Sequence, residues 1–169
     1  MRILGLDPGS VHTGYGVVEK EGSRVRKLDC GRFTCRKGME LAERLGFLAE
    51  RLEALIERWQ PEGVVLEALF HGRNTRSLIV LAQARGALLA VLARKGLEIR
   101  EYSPAEVKSA VTGNGRAAKP QVARMVGLLL GLDTAELTAD ATDALAVALC
   151  GAQRRRMDRL RSEVGSSRD

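Results

Sequence analysis

Aromatic side chains are scarce: one Trp, two Tyr and three Phe make up 4% of the 169 residues. So few rings leave little scope for a stacking platform of the kind that holds single-stranded nucleic acid. Cysteine is scarcer still. Cys30, Cys35 and Cys150 are an odd set with no secretory context, which reads as free thiols rather than a disulfide framework. His12 and His71 are the only histidines, so Cys30 and Cys35 lack the partners of a four-ligand zinc site. No uninterrupted apolar run approaches the ~20 residues of a bilayer span. Asp7 breaks the first apolar run before it could act as a secretory signal. These absences predict a cytoplasmic protein. A phosphate loop of the G-x-x-x-x-G-K-[ST] type is also missing, since "GNGRAAK" does not fit it. Neither an internal repeat nor a low-complexity linker interrupts the chain.

Hydrophobic residues supply 45% and charged residues 28%, enough for one domain with a layered core. The net charge of +6 is unevenly spread. Residues 68–126 carry ten basic side chains against three acidic, while residues 127–150 carry four acidic and no basic ones. A basic middle beside an acidic segment suits a polyanion grip next to a cation site, and equally suits a solvated surface.

Residues 2–7 predict a buried strand stopped by Pro8-Gly9. Residues 14–19 and 24–33 predict two more strands on short connections, hence an antiparallel meander. Leu41, Leu45, Leu48, Leu52, Leu55 and Trp59 keep helical spacing within 38–59, and Pro61 closes that helix. A short apolar strand follows at 63–68, then a helix at 75–95 that is apolar over a wide arc. That breadth predicts burial on two sides, one of them against a partner chain. A fifth strand at 97–102 precedes helices at 104–111, 119–131 and 139–153, and Gly113-Asn114-Gly115 marks a flexible turn. The order predicts an α/β domain, with a mixed sheet flanked by helices. Residues 1–156 form that domain, and the polar tail 157–169 is expected to be disordered.

Two carboxylates fall at strand ends, where open α/β sheets bind ligands: Asp7 and Glu67. Two more, Asp140 and Asp143, stand three apart in "TADATDAL" and so share a helix face. Asp7 alone could start a turn, Asp140 could favour a helix N-terminus, and Asp143 could be solvated. Glu67, inside an apolar strand, needs a partner or a metal. Together the four would repel one another without cations, which points to Mg²⁺ and phosphodiester chemistry.

The blocks "ILGLDPGSVHTGYGVVE", "LEALFHGRNTRSLIVLAQARGALLA", "EYSPAEVKSAVTGNGRAAKPQV" and "ADATDALAVAL" resemble, in order and spacing, those of RuvC-type Holliday junction resolvases. The resemblance spans residues 1 to about 152. It implies an RNase H-like fold with a five-stranded mixed sheet, three strands antiparallel and then two parallel. It further implies a homodimeric endonuclease that uses two Mg²⁺ ions per site, with Mn²⁺ as a substitute, and cuts opposed strands of a four-way DNA junction beside a branch-migration motor complex. Asp7, Glu67, Asp140 and Asp143 match its metal-holding catalytic set; some relatives have histidine at the position of Asp140. Phe70 matches an aromatic residue that contacts junction bases, although core packing explains a lone Phe as well. Lys108 and Lys119 match basic positions near the DNA backbone and the cut. Arg73, Arg76, Arg85, Arg116 and Arg124 are further candidates for backbone phosphate.

Three other readings share parts of this pattern. Sugar-kinase and actin-like ATPases also place Asp-x-Gly after a first strand, but need two lobes where this chain has residues for one. A catalytically silent nucleic-acid-binding module would have no use for four mutually repelling carboxylates. A related nuclease acting on RNA is separated from DNA cleavage by the family blocks alone.

Overall fold

The computed structural model describes residues 1–68 and 75–165, with side chains to Arg154. Phe70, His71 and Arg73 lie outside the described residues. Five strands form one sheet in the order β3-β2-β1-β4-β5. β1 (Arg2–Asp7), β2 (His12–Glu21) and β3 (Arg24–Thr34) make the antiparallel meander. β4 (Gly63–Glu67) and β5 (Ile99–Tyr102) add to β1 in parallel. β2 is longer at both ends than its apolar pattern because pairing with β3 extends from His12 to Glu21.

α1 (Leu41–Trp59) and α2 (Thr75–Arg94) cover one face of the sheet. α3 (Pro104–Thr112), α4 (Lys119–Leu130) and α5 (Ala139–Gly165) cover the other. A short 3-10 turn, Thr134–Glu136, precedes α5 and is capped by Asp133, whose Oδ1 accepts from the Ala135 amide at 2.9 Å. The sequence pattern shows no periodicity over so short an element. α5 runs past residue 157 to Gly165, where disorder was expected. Met157–Val164 contains neither Gly nor Pro, so nothing in its backbone chemistry stops the helix.

Strand alternation sorts the core. Leu4, Leu6, Val64 and Leu66 pack with Leu48, Leu52, Leu88 and Leu92 of α1 and α2. Ile3 and Val65 pack on the other face with Leu145, Ala148 and Leu149 of α5. Asp7 and Glu67 follow in the second set, two residues on from Gly5 and Val65, and so belong to the α5 face. By length and composition Arg76–Arg94 of α2 is apolar enough to cross a membrane, although Gln83 and Arg85 interrupt its apolar run. Its inner side is core: Ala84, Leu88, Val91 and Leu92 are buried. Its outer side leaves Ile79 exposed at 55%.

Candidate active site

The site begins with the sheet register. β1 and β4 pair as far as Leu6 with Leu66, so Asp7 and Glu67 are the next residues at the C-terminal ends of neighbouring parallel strands. Across the hairpin, Asp7 pairs with Gly14, and Gly14 pairs with Arg32 of β3. Residues directly opposite in antiparallel strands share a face. Arg32, Gly14 and Asp7 therefore form one row, with the middle place empty of side chain.

The first turn of α5 fills that place. A Cβ built at Gly14 would lie 2.1 Å from the backbone oxygen of Asp140. A Cβ at Gly5 would lie 2.3 Å from the Ala144 oxygen. Only glycine lets the helix backbone rest directly on the strands at these points. Thr138 starts the helix, its Oγ1 accepting from the Ala141 amide at 3.3 Å and its carbonyl from the Thr142 hydroxyl at 3.1 Å. Asp140 thereby sits in the first turn, where the helix dipole favours negative charge. Asp143 lies almost one turn further on.

Electrostatics tie the four together. Burial, then the charges of Glu67, Asp143 and Asp140, push the Asp7 carboxyl up to about 7, with Lys119 opposing. Burial and the Asp143 charge also raise Glu67, against Lys119 and Lys108. Two of the carboxylates have basic partners. Lys119 donates from Nζ to Asp143 Oδ2 at 2.9 Å, and this hydrogen bond leads the causes that raise the lysine above its usual range. Arg32 donates from Nη1 to Asp140 Oδ2 at 3.3 Å. Among the described residues, no three acidic, His or Cys side chains are drawn together closely enough to hold a metal ion.

Glu67 and Asp143 open into a cleft of about 260 Å³ between α3, α4 and α5, also lined by Lys108 and Lys119. Lys108 projects from α3, whose start is secured by Ser103 and Glu106. Lys119 opens α4 beside Pro120, whose missing N–H costs nothing at that position. The preceding loop is held by Asn114, whose Oδ1 accepts from the Arg116 amide at 3.0 Å.

The structure thus brings Asp7, Glu67, Asp140, Asp143, Lys108 and Lys119 to one end of the sheet. Arg76, Arg116 and Arg124 are exposed on the surface. Arg85 is not available to a phosphate: it is 5% exposed and bonded within the protein, which corrects its place among the surface candidates. A basic residue on an apolar helix gives no sequence sign of which way it turns. Arg32 was missed outright, because its partner lies 108 residues away and only strand register reveals the pairing.

Residues 3–151 match the sequence model of RuvC, crossover junction endodeoxyribonuclease. A relative of that name from Chlorobaculum parvum is 48% identical over 154 residues, covering 91% of this chain and 82% of its own. The structure of Thermus thermophilus RuvC in complex with a Holliday junction substrate superposes with a TM-score of 0.88 at 35% identity, covering 94% of this chain and 96% of its own. The yeast mitochondrial Holliday junction resolvase Ydc2 shares the fold, with a TM-score of 0.64 at 13% identity over 88% of this chain and 77% of its own. The four sequence blocks, the RNase H-like sheet and these matches agree: the chain belongs to the RuvC family of crossover junction endodeoxyribonucleases.

Proposed function

We infer that the chain is a structure-selective endonuclease that resolves four-way DNA junctions during recombination and repair, acting in the cytoplasm. The observation that carries this reading is the gathering of four carboxylates at one sheet end, beside a cleft lined by two lysines. The family supports the substrate, since the Thermus relative is described in complex with a Holliday junction.

The donor set suits a hard divalent cation. It offers only carboxylate oxygens, and burial with mutual repulsion makes the metal-free site hold a proton on Asp7 up to a pH of about 7. Mg²⁺, with Mn²⁺ as a substitute and two ions per site, would supply Lewis-acid stabilisation of the phosphate and a water of lowered pKa. In this reading Asp7 and Glu67 hold from the sheet, and Asp140 and Asp143 hold from α5. Arg32 and Lys119 pair with two of those carboxylates and would have to yield them to the ions. Lys119 and Lys108 line the same cleft, where Lys119 would stabilise charge on the scissile phosphate and Lys108 would meet the DNA backbone. The products carry a 5′-phosphate and a 3′-hydroxyl.

Cutting two opposed strands calls for two sites, and the exposed outer side of α2 around Ile79 offers an apolar face for a homodimer. Phe70 and Arg73 as junction contacts, and Arg76 and Arg116 on the arms, belong to the same reading. A branch-migration motor as partner rests on the family resemblance alone.

The test compares a four-way junction, a linear DNA duplex and an RNA duplex, with and without Mg²⁺. Cleavage confined to the junction with Mg²⁺ is expected; equal cutting of linear duplex would remove the selectivity. Asp7→Asn should lose cleavage and keep junction binding. Sedimentation at micromolar concentration should give a dimer, and a monomer with and without junction DNA would count against the α2 interface.

A further inference from the structure

Arg85 sits on the inner side of α2 and is 5% exposed. A guanidinium removed from water needs partners that replace its hydration. Arg85 Nη1 donates to the backbone carbonyl of Glu67 at 2.7 Å. Its Nη2 lies 2.7 Å from Glu101 Oε1, an ion pair close in distance but off the direction of a hydrogen bond. One side chain therefore joins α2, the end of β4 and β5.

The place of this contact matters. The β1–β4 register ends at Leu6 with Leu66, one residue short of Glu67. On the β5 side the ladder is prolonged by the Ala68 amide, which donates to the Tyr102 carbonyl at 2.8 Å. The Glu67 carbonyl is met instead by Arg85, reaching from the helix layer opposite α5. The carboxylate of the same residue lines the cleft with Asp143 and Lys119.

We propose that Arg85 is a positioning residue for Glu67: its guanidinium pins the peptide at the end of β4, and Glu101 steadies the guanidinium. The proposal deepens the nuclease reading and rests on Glu67 as a member of the metal-holding set. Lysine cannot reproduce the contact, because it offers a point charge rather than a planar fork that reaches two acceptors at once.

Arg85→Lys and Glu101→Gln in the full chain test it, with Mn²⁺ binding followed by electron paramagnetic resonance without DNA, and single-turnover cleavage at saturating junction. Outer partners of metal ligands are worth about 10- to 100-fold in affinity or activity, and Arg85→Lys should fall in the lower part of that range on both readouts. Junction affinity without metal should stay at the wild-type value. Glu101→Gln should shift both readouts the same way by less. A purely structural role lowers the melting temperature but leaves Mn²⁺ affinity and the rate of the folded fraction unchanged, which would overturn the proposal. Should Arg85→Lys fail to fold, Glu101→Gln decides, because Glu101 is half-exposed and its replacement keeps size and shape. Unchanged Mn²⁺ affinity there overturns the proposal too. A wild-type chain that binds Mn²⁺ but never cuts a junction would instead refute the nuclease reading, and the Mn²⁺ measurements on Arg85→Lys would still stand.

Discussion

The two faces of the sheet are filled by different means. Under α1 and α2 the filling is side chain: Leu4, Leu6, Leu48, Leu52, Leu66, Leu88 and Leu92 are all fully buried. Under α5 it is partly backbone on backbone, with Gly5 and Gly14 facing the main chain of Ala144 and Asp140. Leucine packing tolerates small adjustments through rotamers, whereas a backbone seated on glycine has none to make. The face that carries Asp140 and Asp143 is the one where position is set most tightly. The face that carries α2 contributes stability and leaves an apolar outer side.

Gly14→Ala attacks the tight face and should have the largest effect. Its Cβ would lie 2.1 Å from the Asp140 oxygen, so the first turn of α5 must lift. A displacement of that order costs roughly 10²-fold in rate, measured as single-turnover junction cleavage, and lowers the melting temperature as well. Leu52→Ala probes the leucine face. It should cost about 2–5 kcal/mol in urea unfolding while the rate per folded molecule stays near the wild-type value. Were both substitutions to cost cleavage equally, the contrast between faces would fail.

The third prediction concerns charge. Asp7 binds its proton more tightly folded than unfolded, its carboxyl being raised to about 7. Its stabilising contribution is therefore complete below about pH 4 and lost as pH rises through 7. Glu67 acts in the same sense. Thermal unfolding without divalent cation should show falling stability over this window. Asp7→Asn should flatten the trend and stabilise the metal-free chain at pH 8 by on the order of 1–2 kcal/mol. A wild-type curve that instead rises from pH 5 to 8, unaltered by the substitution, would remove Asp7 from the raised set.

Gly46→Ala should have the smallest effect. This α1 glycine has nothing within 4 Å of an added Cβ. Helix propensity then favours alanine by about 0.8–1 kcal/mol, read as a slightly higher urea midpoint with cleavage unchanged. The same substitution type thus changes sign between a glycine that seats α5 and one on the open side of α1.

The strands and helices were legible where periodicity is strong, as in α1, whose leucine stripe became core from Leu48 to Leu55. The extra length of β2 was not, because the partner strand supplies hydrogen bonds that apolar spacing does not record. The carboxylates could be picked out because acidic residues at strand ends and at helical spacing are local signals. Two basic contacts could not: Arg32 meets the Asp140 carboxylate, and Arg85 meets the Glu67 backbone carbonyl, only through the folded sheet. The glycine-to-helix contact was equally hidden, since Gly5 and Gly14 look like ordinary turn or strand glycines until α5 arrives.

The late position of α5 also sets when the site can exist during synthesis. A chain still short of residue 139 can place Asp7 and Glu67 at the ends of paired strands, but it has neither Asp140 nor Asp143. Its glycine-lined groove is uncovered, and half of the carboxylates are missing. Completion of the candidate site therefore waits for α5 to emerge from the ribosome and settle onto the first hairpin, so a product stalled before it carries Lys108 and Lys119 without the full acidic set.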